Sequence, residues 1–104
     1  MAKTVRVVEN ELKPAGAGAR KSFYRKAFIL DDLNGTRYLK SYDTVMCSAD
    51  ADGYVRKYAD IQPHSNATRR HVKSFLHVYA PGTSTKDFDG MAVENDRPVL
   101  LAVN

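Results

Sequence analysis

The sequence has one cysteine and no tryptophan. The single Cys47 excludes an intramolecular disulfide framework and a zinc site built from several cysteines. A run of eighteen apolar residues, long enough for a membrane-spanning helix, occurs nowhere in the chain. Residues 1–13 lack the apolar stretch of a secretory signal peptide. These absences predict a soluble, cytoplasmic protein with no membrane partner.

The composition is typical of one globular domain. The 104 residues are 43% hydrophobic and 27% charged, which is ordinary for a folded chain of this length. We expect a single domain over 1–104, with a strand and a Gly/Ala linker in 1–20, a core of strands and one helix in 21–80, and a loop and final strand in 81–104. The net charge of +4 favours nucleic acid or an acidic host protein surface as partner.

Strand patterns dominate the chain outside one helix. The β-branched and aromatic runs predict strands at 4–8, 22–31, 37–48, 54–61 and 98–103, the last of them buried. Asn34-Gly35 is a hairpin signal, because both residues tolerate the positive φ of a type I′ turn. Residues 49–53 read as a second turn, and residues 83–90 read as a loop. The sequence therefore predicts an antiparallel sheet of three to five strands, arranged as a meander.

One amphipathic helix is predicted over about 66–79. Apolar residues recur there at helical spacing, Ser65 or Asn66 can cap the first turn, and Pro81-Gly82 ends the pattern. We expect an α+β fold in which this helix packs on one face of the sheet. The residues expected to be buried together are Val72, Phe75 and Leu76 with Ile29, Leu39 and Val45.

Patterns for catalysis and metal binding fail on spacing. His64, His71 and His77 are seven and six residues apart, whereas two ligands on one helical face need a spacing of three or four. Cys47 and His71 could form a nucleophile pair, but the sequence supplies neither an orienting acid nor oxyanion donors. We therefore expect a protein that is not an enzyme and holds no cofactor or metal.

The basic side of the predicted helix is the main functional lead. Arg69, Lys73 and His77 repeat every four residues, with Arg70 at their border. Arginine suits bidentate contacts with phosphate or carboxylate, and tyrosines can stack on bases. The further candidate binding residues on the strands are Lys21, Tyr24, Arg25, Lys26 and Tyr42, with Tyr38, Tyr54 and Tyr58 as additional stacking positions. The alternative is an ordinary solvated helix face.

Three blocks, KSFYRKA, LKSYDTV and SNATRRHVKSFL, carry a resemblance. The matching residues are Lys21, Ser22, Phe23, Tyr24, Lys26 and Ala27; Leu39, Ser41, Tyr42, Thr44 and Val45; and Ser65, Thr68, Arg70, His71, Phe75 and Leu76. Over residues 19–76 the chain resembles a family of small proteins of unknown function from bacteriophages and their hosts. Arg25 replaces a glycine of that family, and Ala67 replaces a threonine. The resemblance implies a viral or mobile-element origin and a location in the host cytoplasm, but no activity.

Two binding roles follow from these observations. The leading hypothesis is a non-enzymatic, phage-type accessory protein that binds nucleic acid through the basic helix face and the aromatic strands. The rival hypothesis is a protein-binding inhibitor of a host defence system, similar in role to an anti-CRISPR protein, that uses the same basic side. Arg70 has a second possible role, since it could pair with Asp43 or Asp60 on the sheet.

Overall fold

The computed structural model describes residues 3–13, 26–61 and 66–103. These residues form an α+β fold with a curled, mixed sheet of six strands and two helices. The elements are β1 (Thr4–Glu11), β2 (Ala27–Asp31), β3 (Arg37–Ser41), β4 (Thr44–Ala49), β5 (Val55–Lys57), α1 (Asn66–Tyr79), α2 (Thr85–Asp89) and β6 (Val99–Ala102). The predicted N-terminal part of the strand 22–31 lies outside the described residues.

The sheet differs from the predicted meander in number and direction. Its strand order is β5-β4-β3-β2-β1-β6, so six strands replace the expected three to five. The pairs from β1 through β5 are antiparallel, but β6 pairs parallel to β1, with Thr4 opposite Val99. A parallel pair needs a long crossover connection. Turn residues in the sequence indicate hairpins between neighbouring strands, so they do not predict this pairing.

The predicted strand 37–48 is two strands, β3 and β4, joined by a tight turn at Tyr42 and Asp43. A bulge shifts their register, so that Leu39 pairs with Cys47 while Lys40 pairs with Val45. Because a bulge adds one residue to one strand, it exchanges the faces of the residues beyond it. The prediction that Val45 packs with Leu39 under the helix is therefore wrong, and Val45 lies on the other face.

The hairpin predicted at Asn34-Gly35 is present but has a different turn. Asp31 pairs with Arg37, which leaves a loop of residues 32–36 rather than a two-residue turn. The positive φ angles fall at Leu33, 63°, and at Gly35, 106°. The Asp32 carboxylate accepts hydrogen bonds from the N–H groups of Asn34 and Thr36, at 2.8 and 3.0 Å. The position of the hairpin was predicted correctly and its type I′ geometry was not.

The outer face of the sheet carries the helices and the larger core. The predicted bounds of α1 are confirmed, and the helix buries Val72, Phe75 and Leu76 against a cluster that includes Leu39, with Ile29 partly buried beside it. Phe75 is completely buried. The expectation of a helix that packs on one face of the sheet is therefore confirmed for α1.

A second helix, α2, replaces the loop predicted at residues 83–90. Ser84 accepts from the N–H of Asp87 at 3.0 Å, and the Asp87 carboxylate accepts from the N–H of Ser84 at 3.1 Å. This reciprocal pair is a capping box and starts a helix too short to display an apolar period. Phe88 of α2 is fully buried, which fixes the helix beside α1.

Lys57 joins the end of α2 to β5 from inside the core. The residue is 1% exposed, yet its ammonium group donates to the carbonyl oxygens of Phe88, Asp89 and Met91 at 3.0, 3.3 and 3.2 Å. The Asp60 carboxylate lies 2.6 Å away. A cation near the last carbonyls of a helix satisfies them and interacts favourably with the helix dipole.

The inner face of the sheet is closed by residues 93–98, which lead from the edge of β5 to β6. Val93 pairs with Lys57 on the free edge of β5, and β6 begins at Val99 on the opposite edge. The six residue steps from Val93 to Val99 reach at most about 22 Å, whereas a flat sheet would separate these two positions by six interstrand spacings, roughly 29 Å. The sheet therefore curls around a second cluster of Val7, Leu30, Tyr38 and Tyr58.

Two further predictions, about the tyrosines of the inner face and about the last strand, are wrong. Tyr38 and Tyr58 are 6% and 4% exposed, so neither offers an open ring for stacking on a base. The final strand was expected to be buried, but Val99 and Leu101 of β6 are 55% and 51% exposed. β6 is an edge strand, and α1 covers the sheet over β3 and β4 instead.

Candidate functional site

The exposed side of α1 is basic against the preference of the helix itself. Its first turn contains no acidic residue, and Arg69 and Arg70 follow in the next positions. Because the N-terminal end of a helix favours negative charge, these cations do not stabilise α1. Arg69 is partly neutralised by Asp89 of α2, whose carboxylate lies 3.1 Å away. Arg70, Lys73 and His77 are exposed.

An aromatic side chain and a further cation lie beside the N-terminal half of α1. Tyr42, in the turn after β3, is 44% exposed, and its ring centroid lies 5.7 Å from the ring of His71. The ammonium group of Lys26 lies 5.9 Å from the same Tyr42 centroid. We call the group the Tyr42–α1 surface; its members are Lys26, Tyr42, Arg69, Arg70, Lys73 and His77.

The backbone of Tyr42 is in the left-handed region, with a φ of 55°. This conformation costs roughly 1–2 kcal/mol for a residue with a Cβ atom, and glycine adopts it freely. The N–H of Tyr42 donates to the carbonyl of Lys26 at 2.7 Å, which holds the turn against β2. The fold alone would favour glycine or asparagine at this position, so the tyrosine side chain is a candidate for a functional role.

A buried polar cluster fixes Tyr42 relative to α1. The Ser41 hydroxyl lies 2.7 Å from Nδ1 of His71 and 3.1 Å from the Thr68 hydroxyl, and all three residues are buried. Burial, assisted by the nearby charge of Arg70, lowers the pKa of His71 from 6.5 to about 4. His71 is therefore neutral near pH 7, and it positions the surface without adding to its charge.

The Cys47 thiol does not join this cluster as a nucleophile. Cys47 is completely buried, and burial raises the pKa of its thiol far above the ordinary value. A nucleophilic cysteine needs a lowered pKa and access to substrate. The structure thus gives Cys47 the environment of a core residue on the outer face.

The structure brings some of the predicted binding residues together and leaves others without a described position. Lys26 and Tyr42 lie beside the half of α1 that carries Arg70, while Lys73 and His77 continue along the same helix. Lys21, Tyr24 and Arg25 lie outside the described residues. Asp60, considered as a partner of Arg70, instead pairs with Lys57.

The Ser41–Thr68–His71 cluster was not predicted as a unit. Ser41 and Thr68 had been noted only as matches in two of the sequence blocks, and His71 had also been considered as a partner of Cys47. A signal was present, since small polar residues and a histidine on the apolar sides of a strand and a helix must find partners when buried. The pairing itself depends on the tertiary contact between α1 and β3.

Within residues 3–13, 26–61 and 66–103, no three His, Cys, Asp or Glu side chains lie close enough to hold a metal ion. In the same ranges, no helix has both the length and the apolar character needed to cross a membrane.

The model of a family of unknown function, DUF8033, matches residues 10–90 of the chain. No curated protein and no solved structure matches the chain. The matched range contains both helices and every residue of the Tyr42–α1 surface.

Proposed function

The chain belongs to this family, and we propose that it is a non-enzymatic accessory protein, of phage or mobile-element origin, that binds nucleic acid through the Tyr42–α1 surface. The observation that carries the proposal is Tyr42 itself. Tyr42 is 44% exposed and holds a left-handed backbone conformation that a glycine would adopt without strain. Its position beside a basic helix suits a side chain that stacks on an unpaired base.

The charges of the surface support the same ligand. Arg70 and Lys73 lie on the exposed side of α1, where the helix dipole gives no reason for cations near the N-terminal end. Phosphate groups that follow the helix would accept charge-assisted hydrogen bonds from these side chains. Lys26 would add a contact beside the stacked base.

The rival proposal is a protein-binding inhibitor of a host defence system, of the anti-CRISPR kind, that uses the same surface. A tyrosine next to arginines is the composition of many protein-binding hot spots. Such an inhibitor would dock on an acidic protein surface or occupy a nucleic-acid site.

Binding to a labelled single-stranded oligonucleotide, followed by fluorescence anisotropy over a salt series, tests the first proposal. If Lys26, Arg69, Arg70 and Lys73 each contact one phosphate, the slope of log K against log salt is about −3, at −0.7 per contact. Replacing Arg69, Arg70 and Lys73 with glutamine should reduce this slope by about 2. Stability should change by no more than about 1 kcal/mol, because the Arg69–Asp89 pair is a surface ion pair.

Tyr42→Gly separates stacking from charge. The variant should fold and keep the salt slope, while its affinity falls by about 1–3 kcal/mol for the lost base contact. The matched control is Tyr54→Gly. Tyr54 is 60% exposed, and the guanidinium group that lies over its ring belongs to Arg56, not to a residue of α1. Equal affinities for wild type and Tyr42→Gly would contradict the proposed stacking.

Arg70→Gln decides between a binding role and a structural role for that residue. Lower affinity with unchanged stability indicates a contact with the ligand, and lower stability with unchanged affinity indicates an ion pair within the fold. Affinity capture from nuclease-treated host lysate distinguishes the two proposals. Recovery of one stoichiometric protein, lost in the triple glutamine variant, would favour the inhibitor.

A further inference from the structure

A groove of about 720 Å³ opens on the inner face of the sheet, on the side remote from α1. Its wall includes Tyr38 of β3, Tyr58 after β5 and Pro98 before β6. The segment that closes the curled sheet borders the groove, and the Arg97 guanidinium donates to the carbonyl of Tyr58. The volume lies within the range of small-molecule sites.

Two tyrosine hydroxyls in this groove lack a partner. Tyr38 and Tyr58 are 94% and 96% buried, with ring centroids 6.2 Å apart. Neither hydroxyl has a hydrogen bond among residues 3–13, 26–61 and 66–103, and neither is sealed from solvent there. The rings are buried while the hydroxyls remain open and, within the described part of the chain, unpaired, so this pair is available to a ligand in the groove.

The polar groups around the hydroxyls carry both signs of charge. Asp32, Glu94 and Asp96 line the groove, as do Lys3, Arg6 and Arg56. Glu94 and Arg56 neutralise each other at 3.3 Å, so neither sign of charge dominates the wall.

Burial raises the pKa of Tyr38 above its ordinary value of 10.0, and the neighbouring Tyr58 and Asp32 add to this effect. The Tyr38 hydroxyl therefore remains protonated near neutral pH and can donate a hydrogen bond. The groove thus presents donors and acceptors together, without the net charge that would select a simple ion.

We propose that this groove binds a small neutral ring with adjacent hydroxyl groups, as found in a sugar or in the ribose of a nucleoside. Each ligand hydroxyl can both donate and accept, so it can donate to a carboxylate of the wall and accept from a tyrosine hydroxyl. Val5 and Pro98, also in the wall, give the apolar contact that the carbon face of such a ring needs. This site is independent of the Tyr42–α1 surface.

The test is a titration of the ¹⁵N-labelled protein, followed by NMR, with ribose, glucose, adenosine and 2′,3′-dideoxyadenosine as separate probes. Saturable shifts at Tyr38 and Tyr58 with adenosine, and none with the dideoxy compound, would support recognition of the hydroxyl pair. Ribose and glucose show whether a free sugar suffices or the base is also needed. Absence of saturable shifts at the groove for every probe at tens of millimolar overturns the proposal.

Tyr38→Phe and Tyr58→Phe remove only the hydroxyls. Both variants should be as stable as wild type, because neither hydroxyl has a partner to lose, and each should weaken binding roughly three- to tenfold. Tyr54→Phe is the matched control, since Tyr54 is exposed and lies outside the groove wall. Binding that is unchanged in both groove variants would refute the assignment of the hydroxyls.

Discussion

Acidification should destabilise the fold through His71 between pH 6.5 and about 4. Above pH 6.5 the imidazole is neutral in both the folded and the unfolded chain. As the pH falls below that value, His71 binds a proton in the unfolded chain but not in the folded protein, because burial lowers its pKa from 6.5 to about 4. The stability present above pH 6.5 is therefore lost as the pH falls, and the loss is complete below about pH 4.

The size of the loss follows from the two pKa values. At 1.36 kcal/mol for each pKa unit, a fall from 6.5 to about 4 corresponds to roughly 3 kcal/mol. The usual free energy of unfolding for a single domain is about 5–15 kcal/mol, so the effect is easily measured. The pKa of Asp87 is lowered from 3.8 by hydrogen bonds with Ser84, and its contribution is lost only at lower pH.

Urea unfolding at a series of pH values measures this loss of stability. The wild-type free energy of unfolding should fall by about 3 kcal/mol over the window, and His71→Asn should be less stable at neutral pH but nearly independent of pH within it. His77→Asn is the control, because His77 is exposed and the variant should follow the wild-type curve.

If His71→Asn fails to fold, an NMR titration of the wild-type protein still tests the prediction. The imidazole proton signals of wild-type His71 should show no titration above pH 5, because burial lowers its pKa to about 4. Parallel loss of stability in wild type and His71→Asn, or a His71 pKa near 6.5 in the folded protein, would refute the argument that burial holds the imidazole neutral.

Two further predictions concern the core. Phe75→Ala should lower stability by about 3–5 kcal/mol, since Phe75 is completely buried; a melting temperature equal to that of wild type would show that α1 does not cover the sheet. Lys57→Met should lower stability by about 2–4 kcal/mol, because the carbonyls at the end of α2 lose their donor. Lys86→Met, at an exposed position of α2, should stay within about 0.5 kcal/mol of wild type, and equal effects of the two lysine variants in urea unfolding would contradict the role of Lys57.

Local patterns predicted the elements that depend on near neighbours in the chain. The apolar residues of α1 recur at helical spacing, and Pro81-Gly82 follows them, so the helix bounds could be read directly from the sequence. The Asp50 turn is local in the same way, since the Asp50 carboxylate accepts from the N–H groups of Asp52 and Tyr54 at 2.9 Å each. The capping box of Ser84 and Asp87 is equally local, but the prediction of a loop at residues 83–90 did not take it into account.

The candidate site likewise combines features that could be predicted from the sequence with features that could not. The spacing of Arg69, Lys73 and His77 on one side of α1 is a property of helix geometry and was predictable. The contact of Tyr42 with His71 was not, because it requires a turn within an apparently continuous strand. The groove was also unpredictable, since Tyr38 and Tyr58 meet only when the sheet curls.

By itself, the sequence determined an α+β chain with a basic amphipathic helix over 66–79, because charge, capping and periodicity act within a few residues. Only the tertiary structure decided which face each strand presents. The bulge that moves Val45 to the inner face lies within one hairpin, but it accompanies a turn that the strand pattern does not reveal. The parallel pairing of β6 with β1 and the burial of Lys57 beside the end of α2 depend on contacts between distant segments. Their stability comes from burial and hydrogen bonding across the whole sheet, and no local window of residues contains that information.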